Sequence, residues 1–258
     1  MLTVISPAKR LDWTVREVEM TTPAFQDEAE VLARAAKRLS QAELASLMDL
    51  SPDLAKLNAD RFRRFAEDKD DIRPAALAFA GDTYQGLEAA TLDDDALRYA
   101  QDHLRILSGL YGLLRPLDGI QAYRLEMGSR LKTRKGPNLY AYWADRLARA
   151  LNDQAQAVKA KALINCASVE YFSAVPEDAL TIPVVTPQFF EDKPGGPKIV
   201  SFFAKKARGA MARFIVERRL TDPEDITAFD TGGYVHAPDL STPGKPAFIR
   251  SADAAKAA

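Results

Sequence analysis

The most informative stretch of the chain, residues 198–220, reads Lys-Ile-Val-Ser-Phe-Phe-Ala-Lys-Lys-Ala-Arg-Gly-Ala-Met-Ala-Arg-Phe-Ile-Val-Glu-Arg-Arg-Leu. After the β-branched pair Ile199-Val200, apolar residues recur at steps of three and four, as they do on one face of an α-helix. The members of this face are Phe203, Ala207, Met211, Phe214 and Ile215. Ser201 has a side chain suited to the N-cap position. The stretch therefore predicts a long helix that packs against a core.

The same helix concentrates positive charge. Residues 198–219 hold seven basic side chains and one acidic one, in a chain whose formal net charge is −1. At about 100° per residue, Lys205, Arg208 and Arg219 fall opposite the apolar face, whereas Lys206 and Arg213 share a flank. A solvated basic face and a surface that binds a polyanion both account for this pattern.

Small residues on this helix predict a close contact. Gly209 costs about 1 kcal/mol relative to alanine in a helix interior, so a glycine there needs a compensating reason. Close approach of another backbone or of a ligand supplies one.

Composition restricts the class of protein. With 258 residues, 47% hydrophobic and 28% charged, the chain suits a globular protein, and we predict a single domain over residues 1–258 because no linker interrupts it. No apolar run approaches the ~20 residues of a membrane span, and the N-terminus does not resemble a signal peptide.

Cys166 is the single cysteine, which fits a reducing cytoplasm. His103 and His236 are far apart, so we expect no metal site, and we infer no cofactor and no obligate protein partner.

The N-terminal third predicts one strand and a helical module. Leu2–Ile5 reads as a buried strand, and the loop 6–12 follows it at the end of a strand where ligands commonly bind in α/β sheets. A helix over about 25–39 and two more after the N-caps Ser40 and Ser51 complete the module.

The middle of the chain predicts both strands and an anion-binding turn. We expect a strand over 75–80, a helix over about 93–107, and then a two-glycine turn at 108–112. An apolar helix, this turn and a second apolar segment resemble a helix-hairpin-helix, in which Gly109 and Gly112 would let backbone N–H groups approach a phosphate. A plain turn is the alternative.

The remaining segments complete a mixed α/β (α+β-like) fold with a mixed sheet. Residues 123–128 alternate as a strand with Arg124 and Glu126 on one face, and a helix begins at Asn138. A strand over 162–164, an edge strand or irregular ribbon over 181–190, and late strands around 232–234 and 246–250 follow. We expect the alanine-rich tail after Ser251 to be frayed.

Several segments together carry a family resemblance through nearly the whole chain. They are Ser6–Lys9 with Leu11-Asp12, Phe79 with Gly81-Asp82, Tyr84 and Gly86-Leu87, Leu107–Gly112 with Leu114–Asp118, Tyr123–Gly128, Asn165 with Ala167-Ser168 and Glu170–Phe172, and Phe203–Gly209 with Arg213–Ile215. In this order they resemble the YaaA family of peroxide stress resistance proteins. Cys166 stands where that family usually has an aliphatic residue, and Ala122 where it commonly has proline.

The resemblance implies a cytoplasmic bacterial protein that limits oxidative damage during peroxide stress and is associated with lower free intracellular iron. It also implies binding of double-stranded DNA through a positively charged cleft, with a helix-hairpin-helix element in a mixed α/β fold.

Two functions follow as expectations. The first is a DNA-binding stress protein without turnover, which would contact phosphates with little sequence specificity. Its contact residues would be Lys205, Lys206, Arg208, Arg213, Arg115 and Arg124, with backbone donors at Gly109 and Gly112. The second is an enzyme acting on a nucleotide or nucleobase in a pocket formed by Lys9, Asp82, Glu126 and Lys205. Its candidate catalytic residues are Lys9, Asp82 and Glu126, with Tyr84, Arg124, Asn165 and Ser168 nearby.

Overall fold

A five-stranded sheet lies at the centre of the computed structural model, which describes residues 1–65, 67, 70–252 and 254. The tail predicted to be frayed lies outside these residues, except for positions 252 and 254. The strands of the molecule are β1 (Leu2–Ile5), β2 (Arg73–Pro74), β3 (Leu104–Ser108), β4 (Gly112–Leu114), β5 (Gly119–Ile120), β6 (Leu163–Cys166), β7 (Val184–Val185), β8 (Gln188–Glu191), β9 (Tyr234–His236) and β10 (Ala247–Arg250).

The order of the central sheet is β4-β3-β1-β6-β7, and β1 lies in its middle. Strand β1 pairs in parallel with β3 on one side and with β6 on the other, so Thr3 faces both Leu104 and Ile164. Every residue of β1, β3 and β6 is buried. Burial on both faces explains their largely apolar sequences, in which Thr3, Arg105, Ser108 and Asn165 are the buried polar exceptions. The chain leaves β1 for β3 on one side and later returns to β6 on the other, which makes the carboxyl end of β1 a topological switch point.

Helices cover the sheet and form the N-terminal module. They are α1 (Gln26–Lys37), α2 (Gln41–Met48), α3 (Pro52–Arg64), α4 (Ala75–Ala78), α5 (Asp82–Leu87), α6 (Asp94–His103), α7 (Leu139–Trp143), α8 (Arg146–Ala157), α9 (Val169–Phe172) and α10 (Ser201–Arg218). Shorter 3-10 helices lie at Ala89–Thr91, Glu177–Ala179, Pro223–Ala228, Thr231–Gly233 and Pro238–Leu240. Ser40 caps α2 through a reciprocal capping box with Glu43, and Ser51 caps α3, so the predicted module is confirmed. Among the described residues no helix combines the length and apolarity that a membrane crossing needs.

Helix α10 packs against α5, α6, the central strands β1 and β6, and strand β8. The predicted apolar residues Ala207, Met211, Phe214 and Ile215 are buried, and Phe203 is half-buried. The predicted N-cap is wrong by one residue, because Val200 occupies that position and Ser201 begins the helix. A difference of one residue in the start of a helix is small, because the ends of helices are defined only to within one or two residues.

Backbone contact between α10 and α5 explains the glycine inside α10. A Cβ added to Gly209 would collide with the carbonyl oxygen of Thr83, and one added to Gly86 would collide with the carbonyl oxygen of Lys206. The two glycines thus let the helices touch along their backbones, as the small residues of the sequence predicted.

A smaller sheet, in the order β8-β10-β9, contacts α10 through β8. Strand β10 runs parallel to β8 and antiparallel to β9. The segment predicted as an edge strand or ribbon is divided between the two sheets, because β7 closes an edge of the central sheet and β8 joins the smaller one. The mixed α/β class of the molecule is therefore confirmed.

The helix-hairpin-helix-like element is wrong. Helix α6 ends at His103, and the next residues form strand β3, which pairs antiparallel with β4 across a tight turn. The predicted strand over 75–80 is also wrong, since Ala75–Ala78 forms a helical turn. Short apolar runs carry no periodicity that separates a buried strand from a helix, so packing against β1 decided the first case and alanine-rich composition the second.

Two further boundaries differ from the prediction. Residues 121–126 belong to no strand, although the chain there is extended enough to place Arg124 and Glu126 side by side. The helix beginning at Asn138 is divided into α7 and α8 at Ala144, which has a φ of 44°.

Candidate active site

A cavity of about 440 Å³ opens where β1 and β6 end. The loop after β1, the start of α5, the extended segment 123–126, the turn after β6 and the middle of α10 all contribute to its wall. The lining residues are Ser6, Pro7, Ala8, Lys9, Arg10, Ala80, Gly81, Asp82, Thr83, Tyr123, Arg124, Leu125, Glu126, Cys166, Ser168, Glu170, Tyr171, Lys205 and Arg208. The cavity thus lies at the topological switch point of the central sheet, the place where open α/β sheets bind ligands.

Hydrogen bonds tie the two strand ends together. The backbone N–H of Ser168 donates to Ser6 Oγ at 2.8 Å, and Ser6 Oγ donates to Ser168 Oγ at 3.3 Å. Ser168 also caps α9 by accepting from the N–H of Tyr171. The hydroxyl of Tyr84 donates to the Ser6 carbonyl at 3.1 Å. These contacts fix the loops on which the charged side chains stand.

Glu126 is the most constrained charged group of the cavity. Its Oε1 accepts from Arg124 Nε at 2.9 Å and lies 3.3 Å from Lys9 Nζ. The Glu126 side chain is 12% exposed, whereas that of Lys9 is 66% exposed. Its second oxygen, Oε2, is buried and has no hydrogen-bond partner within residues 1–65, 67, 70–252 and 254. One carboxylate oxygen is therefore held by two cations, while the other is buried without a partner among the described residues.

A second acid–base pair comes from the two helices in backbone contact. Asp82 stands in the first turn of α5, and Lys205 stands on α10, with Asp82 Oδ2 and Lys205 Nζ 4.0 Å apart. At this distance the pair is loose, and the Lys205 side chain is 52% exposed. The structure thus brings the predicted pocket residues Lys9, Asp82, Glu126 and Lys205 into one cavity.

Sequence reasoning missed several residues of the wall. Glu170 accepts from the backbone N–H of Gly128 at 2.9 Å, which connects α9 to the extended segment. Arg10, Tyr123 and Tyr171 also line the cavity. Glu170 follows Ser168 by two residues, shortly after the end of β6. Including every polar residue that closely follows a predicted strand would therefore have identified it.

Cys166 in the cavity wall and its neighbour Asn165 supply no reactive group to the site. Cys166 is buried, and burial raises the pKa of its thiol to about 12, with Arg208 opposing the shift weakly. The thiol therefore stays protonated at neutral pH and is a poor nucleophile. Asn165 does not line the cavity, because its Oδ1 accepts from the N–H of Ala167 and its Nδ2 donates to Thr186.

The buried tyrosines of the site remain neutral as well. Burial is the main cause that raises the pKa of Tyr84, Tyr123 and Tyr171, and neighbouring charges or phenols add to it. Proton transfer in this cavity accordingly falls to its carboxylates and amines.

Two of the arginines predicted to contact DNA are held in structural contacts. Arg213 is 18% exposed and donates to the carbonyls of Leu87 and Glu88, while it pairs with Glu217 at 2.7 Å. Arg115 pairs with Asp118 and donates to the carbonyl of Thr22. Both side chains stabilise loop and helix ends.

The two glycines predicted as phosphate-binding donors are buried in the β3–β4 hairpin. A Cβ on Gly109 would collide with the carbonyl oxygen of Leu125. Gly112 has a φ of +67°, and a Cβ there would lie 2.6 Å from the indole ring of Trp143. Close packing, together with the left-handed backbone of Gly112, accounts for both glycines without a phosphate.

The remaining predicted DNA contacts divide between the cavity and the outer surface. Arg124, Lys205 and Arg208 line the cavity, whereas Lys206 is exposed on α10 outside it. The eight predicted positions therefore do not form one continuous groove. Within the described part of the chain, no group of three or more histidine, cysteine, aspartate or glutamate residues is arranged to hold a metal ion.

Comparison with known proteins places the chain in a family. The family model described as peroxide stress protein YaaA matches residues 1–240. A UPF0246 protein of Jannaschia sp. is 76% identical over 258 residues, covering 100% of both chains. A UPF0246 protein of Roseobacter denitrificans is 65% identical over 254 residues, which cover 97% of this chain and 98% of that one. One of Cereibacter sphaeroides is 56% identical over 257 residues, covering 98% and 100%. The resemblance read from the sequence motifs is thereby confirmed, and the chain belongs to the peroxide stress protein YaaA family.

Proposed function

We propose that this member of the peroxide stress family acts as an enzyme on a nucleotide or nucleobase bound in the cavity. The observation that carries the proposal is Glu126, a carboxylate held by Lys9 and Arg124 at one oxygen and unpartnered at the other among the described residues. A cavity of about 440 Å³ has the size of an ordinary small-ligand site. Its place at the switch point of a largely parallel sheet is typical of nucleotide-binding proteins.

The charges of the wall support an anionic ligand. Five cationic side chains line the cavity, namely Lys9, Arg10, Arg124, Lys205 and Arg208, against three acidic ones, Asp82, Glu126 and Glu170. The tyrosines Tyr123 and Tyr171 add aromatic surface to the wall. A phosphorylated ligand with a planar base satisfies both features.

In the proposed mechanism Glu126 is the general base. Arg124 fixes the orientation of the carboxylate, which takes a proton from the attacking group or from a water molecule once the substrate is bound. Lys9 stands beside the same carboxylate and is placed to stabilise negative charge that develops on the substrate. The looser pair of Asp82 and Lys205 offers a second proton donor and acceptor. Such a pair of sites suits the cleavage of a glycosidic or phosphate bond.

Replacing Glu126 with glutamine tests this mechanism, because it preserves shape and removes the base. We expect turnover to fall by about 10²- to 10⁴-fold, with ligand affinity changed by less than about tenfold. The measurement is calorimetric titration and chromatographic turnover with a panel of nucleoside monophosphates, nucleosides and free bases. Arg134→Met is the matched control, since Arg134 is exposed and lies outside the cavity wall.

The proposal fails if the folded wild-type protein binds no member of the panel with a Kd below about 1 mM, the upper end of ordinary substrate affinities. It also fails if Glu126→Gln turns over substrate at the wild-type rate.

A second proposal is binding of double-stranded DNA with little sequence specificity. Exposed cations favour it, namely Lys9, Arg10 and Lys205 on the cavity wall and Lys206 on α10 outside it. Removing one cation that binds a phosphate should make the fall of log affinity with log salt shallower by about 0.9. A salt titration of duplex binding with Lys206→Ala measures this, and an unchanged slope removes Lys206 from the interface.

We further propose a cytoplasmic location, and that protection from damage linked to free iron is a consequence of either activity.

A further inference from the structure

Arg208 is a cation on the inner wall of the cavity. It follows Lys205 by three residues on α10, so both side chains point to the same side of the helix. Lys205 stands at the exposed rim, whereas Arg208 is half-buried and lies close enough to the buried Cys166 for the two groups to interact electrostatically.

No carboxylate neutralises Arg208 within the part of the chain that the structure describes. Lys9 and Arg124 share Glu126, and Lys205 faces Asp82. Arg10, the remaining cation of the wall, is exposed to water. Arg208 thus combines partial burial with the lack of a hydrogen-bond or ion-pair partner among the described residues.

An unpaired guanidinium in such a place has a cost. Its charge is permanent at physiological pH, and burial lowers the pKa of Arg208 because water is partly removed from the charged group. Taking a charge out of water without a counter-ion destabilises the folded protein. A ligand that brings an anion to this position offsets the cost, and arginine presents the planar donor fork that phosphate oxygens accept.

We propose that Arg208 anchors the terminal phosphate of a nucleoside monophosphate inside the cavity, an inference that rests on the function proposed above. The phosphate lies against the inner part of α10, and the nucleoside extends towards Glu126. This assigns the ligand class: a small molecule with a phosphate monoester, in preference to an uncharged nucleoside or base. A phosphodiester within an intact duplex is held in its backbone and is a poorer fit to this inner position.

The test compares binding of paired ligands to Arg208→Met, which preserves much of the apolar stem and removes the charge. The probes are AMP, GMP, CMP and UMP, their four nucleosides, and inorganic phosphate, titrated by calorimetry. We expect the wild-type protein to prefer at least one monophosphate over its nucleoside by about tenfold or more, and Arg208→Met to lose that preference. Arg208→Lys should retain part of it, and Arg134→Met, the exposed control, all of it.

Thermal melting supplies a second readout that a merely structural arginine would not give. Without ligand, Arg208→Met should melt at or above the wild-type temperature, because an uncompensated charge has been removed. A ligand that binds only the folded protein raises its melting temperature. Adding the preferred monophosphate should therefore raise the melting temperature of the wild-type protein, and that of Arg208→Met much less.

The outcomes separate the two proposals. If nucleosides bind as tightly as their monophosphates, or if the preference survives in Arg208→Met, the anchor is wrong while the nucleotide cavity stands. If inorganic phosphate binds through Arg208 but no nucleoside or nucleotide does, the anchor stands and the proposed function is wrong. If none of the probes binds, both are overturned. A melting temperature of Arg208→Met well below the wild type assigns Arg208 to the fold and overturns the anchor.

Discussion

Replacing Glu191 with alanine is expected to lower the free energy of unfolding by about 3–5 kcal/mol. Glu191 ends β8 and is 2% exposed, and its Oε2 accepts from Arg250 Nε and Nη2 at 3.0 Å each. Its Oε1 accepts from the hydroxyl of Tyr234 at 2.5 Å. These three residues join the strands of the smaller sheet, and the alanine variant leaves Arg250, itself 8% exposed, buried without its carboxylate.

The measurement is equilibrium unfolding in urea, with the double variant Glu191→Leu, Arg250→Met as the control. Removing both charges together leaves no unpaired ion, so the double variant should be far more stable than the single one. A decrease below about 1 kcal/mol for Glu191→Ala would show that the ion pair contributes no more than an exposed one.

Replacing Gly209 with alanine is expected to destabilise the fold by about 3 kcal/mol or more, because the new Cβ has no room. It would collide with the carbonyl oxygen of Thr83, a backbone atom that moves only if α5 moves. Since α5 also carries Asp82, displacement of that helix should weaken ligand binding in the cavity too.

Whether Gly209→Ala lowers or raises the free energy of unfolding distinguishes a closely packed helix face from a solvated one. On a solvated helix face, Gly→Ala stabilises by about 1 kcal/mol through helix propensity. Thermal and urea unfolding of Gly209→Ala therefore distinguish the two descriptions, and a stability equal to or above that of the wild type would refute close backbone contact between α10 and α5. Gly86→Ala, which meets the carbonyl oxygen of Lys206 from the other side, should behave in the same way.

Local signals in the sequence predicted those elements whose formation depends on neighbouring residues. Ser40 with Glu43 and Ser51 with Pro52 specify helix starts through hydrogen bonds and φ values within a few residues. The apolar spacing of α10 and the short strand β1 are likewise local patterns. These parts of the fold were therefore readable without knowledge of the tertiary structure.

Errors arose where tertiary contacts decided between conformations of similar local preference. Residues 104–107 continue the apolar pattern of α6, yet pairing with β1 draws them into the central sheet. That single change converts the supposed helix-hairpin-helix into a β-hairpin, and it places Gly109 and Gly112 in the core.

The site was partly predictable for a related reason. The sequence places Lys9 and Asp82 in loops, Glu126 on a predicted strand and Lys205 on the basic helix, and the structure brings all four to one cavity. The concentration of basic residues on α10, by contrast, did not indicate which of these side chains lack a hydrogen-bond or ion-pair partner among the described residues. Arg213 is held by backbone carbonyls and by Glu217, and Arg208 faces the cavity. Charge counts along a sequence do not distinguish these situations.

The central claim is that the cavity at the ends of β1 and β6 is the working site. The most direct test is a crystal structure of the protein soaked with the nucleoside monophosphate that binds most tightly in calorimetry. We predict ligand density inside the cavity, with phosphate oxygens within hydrogen-bond distance of Arg208 and the nucleoside beside Glu126. Ligand bound outside the cavity, for example against the exposed side chain of Lys206, would contradict the account.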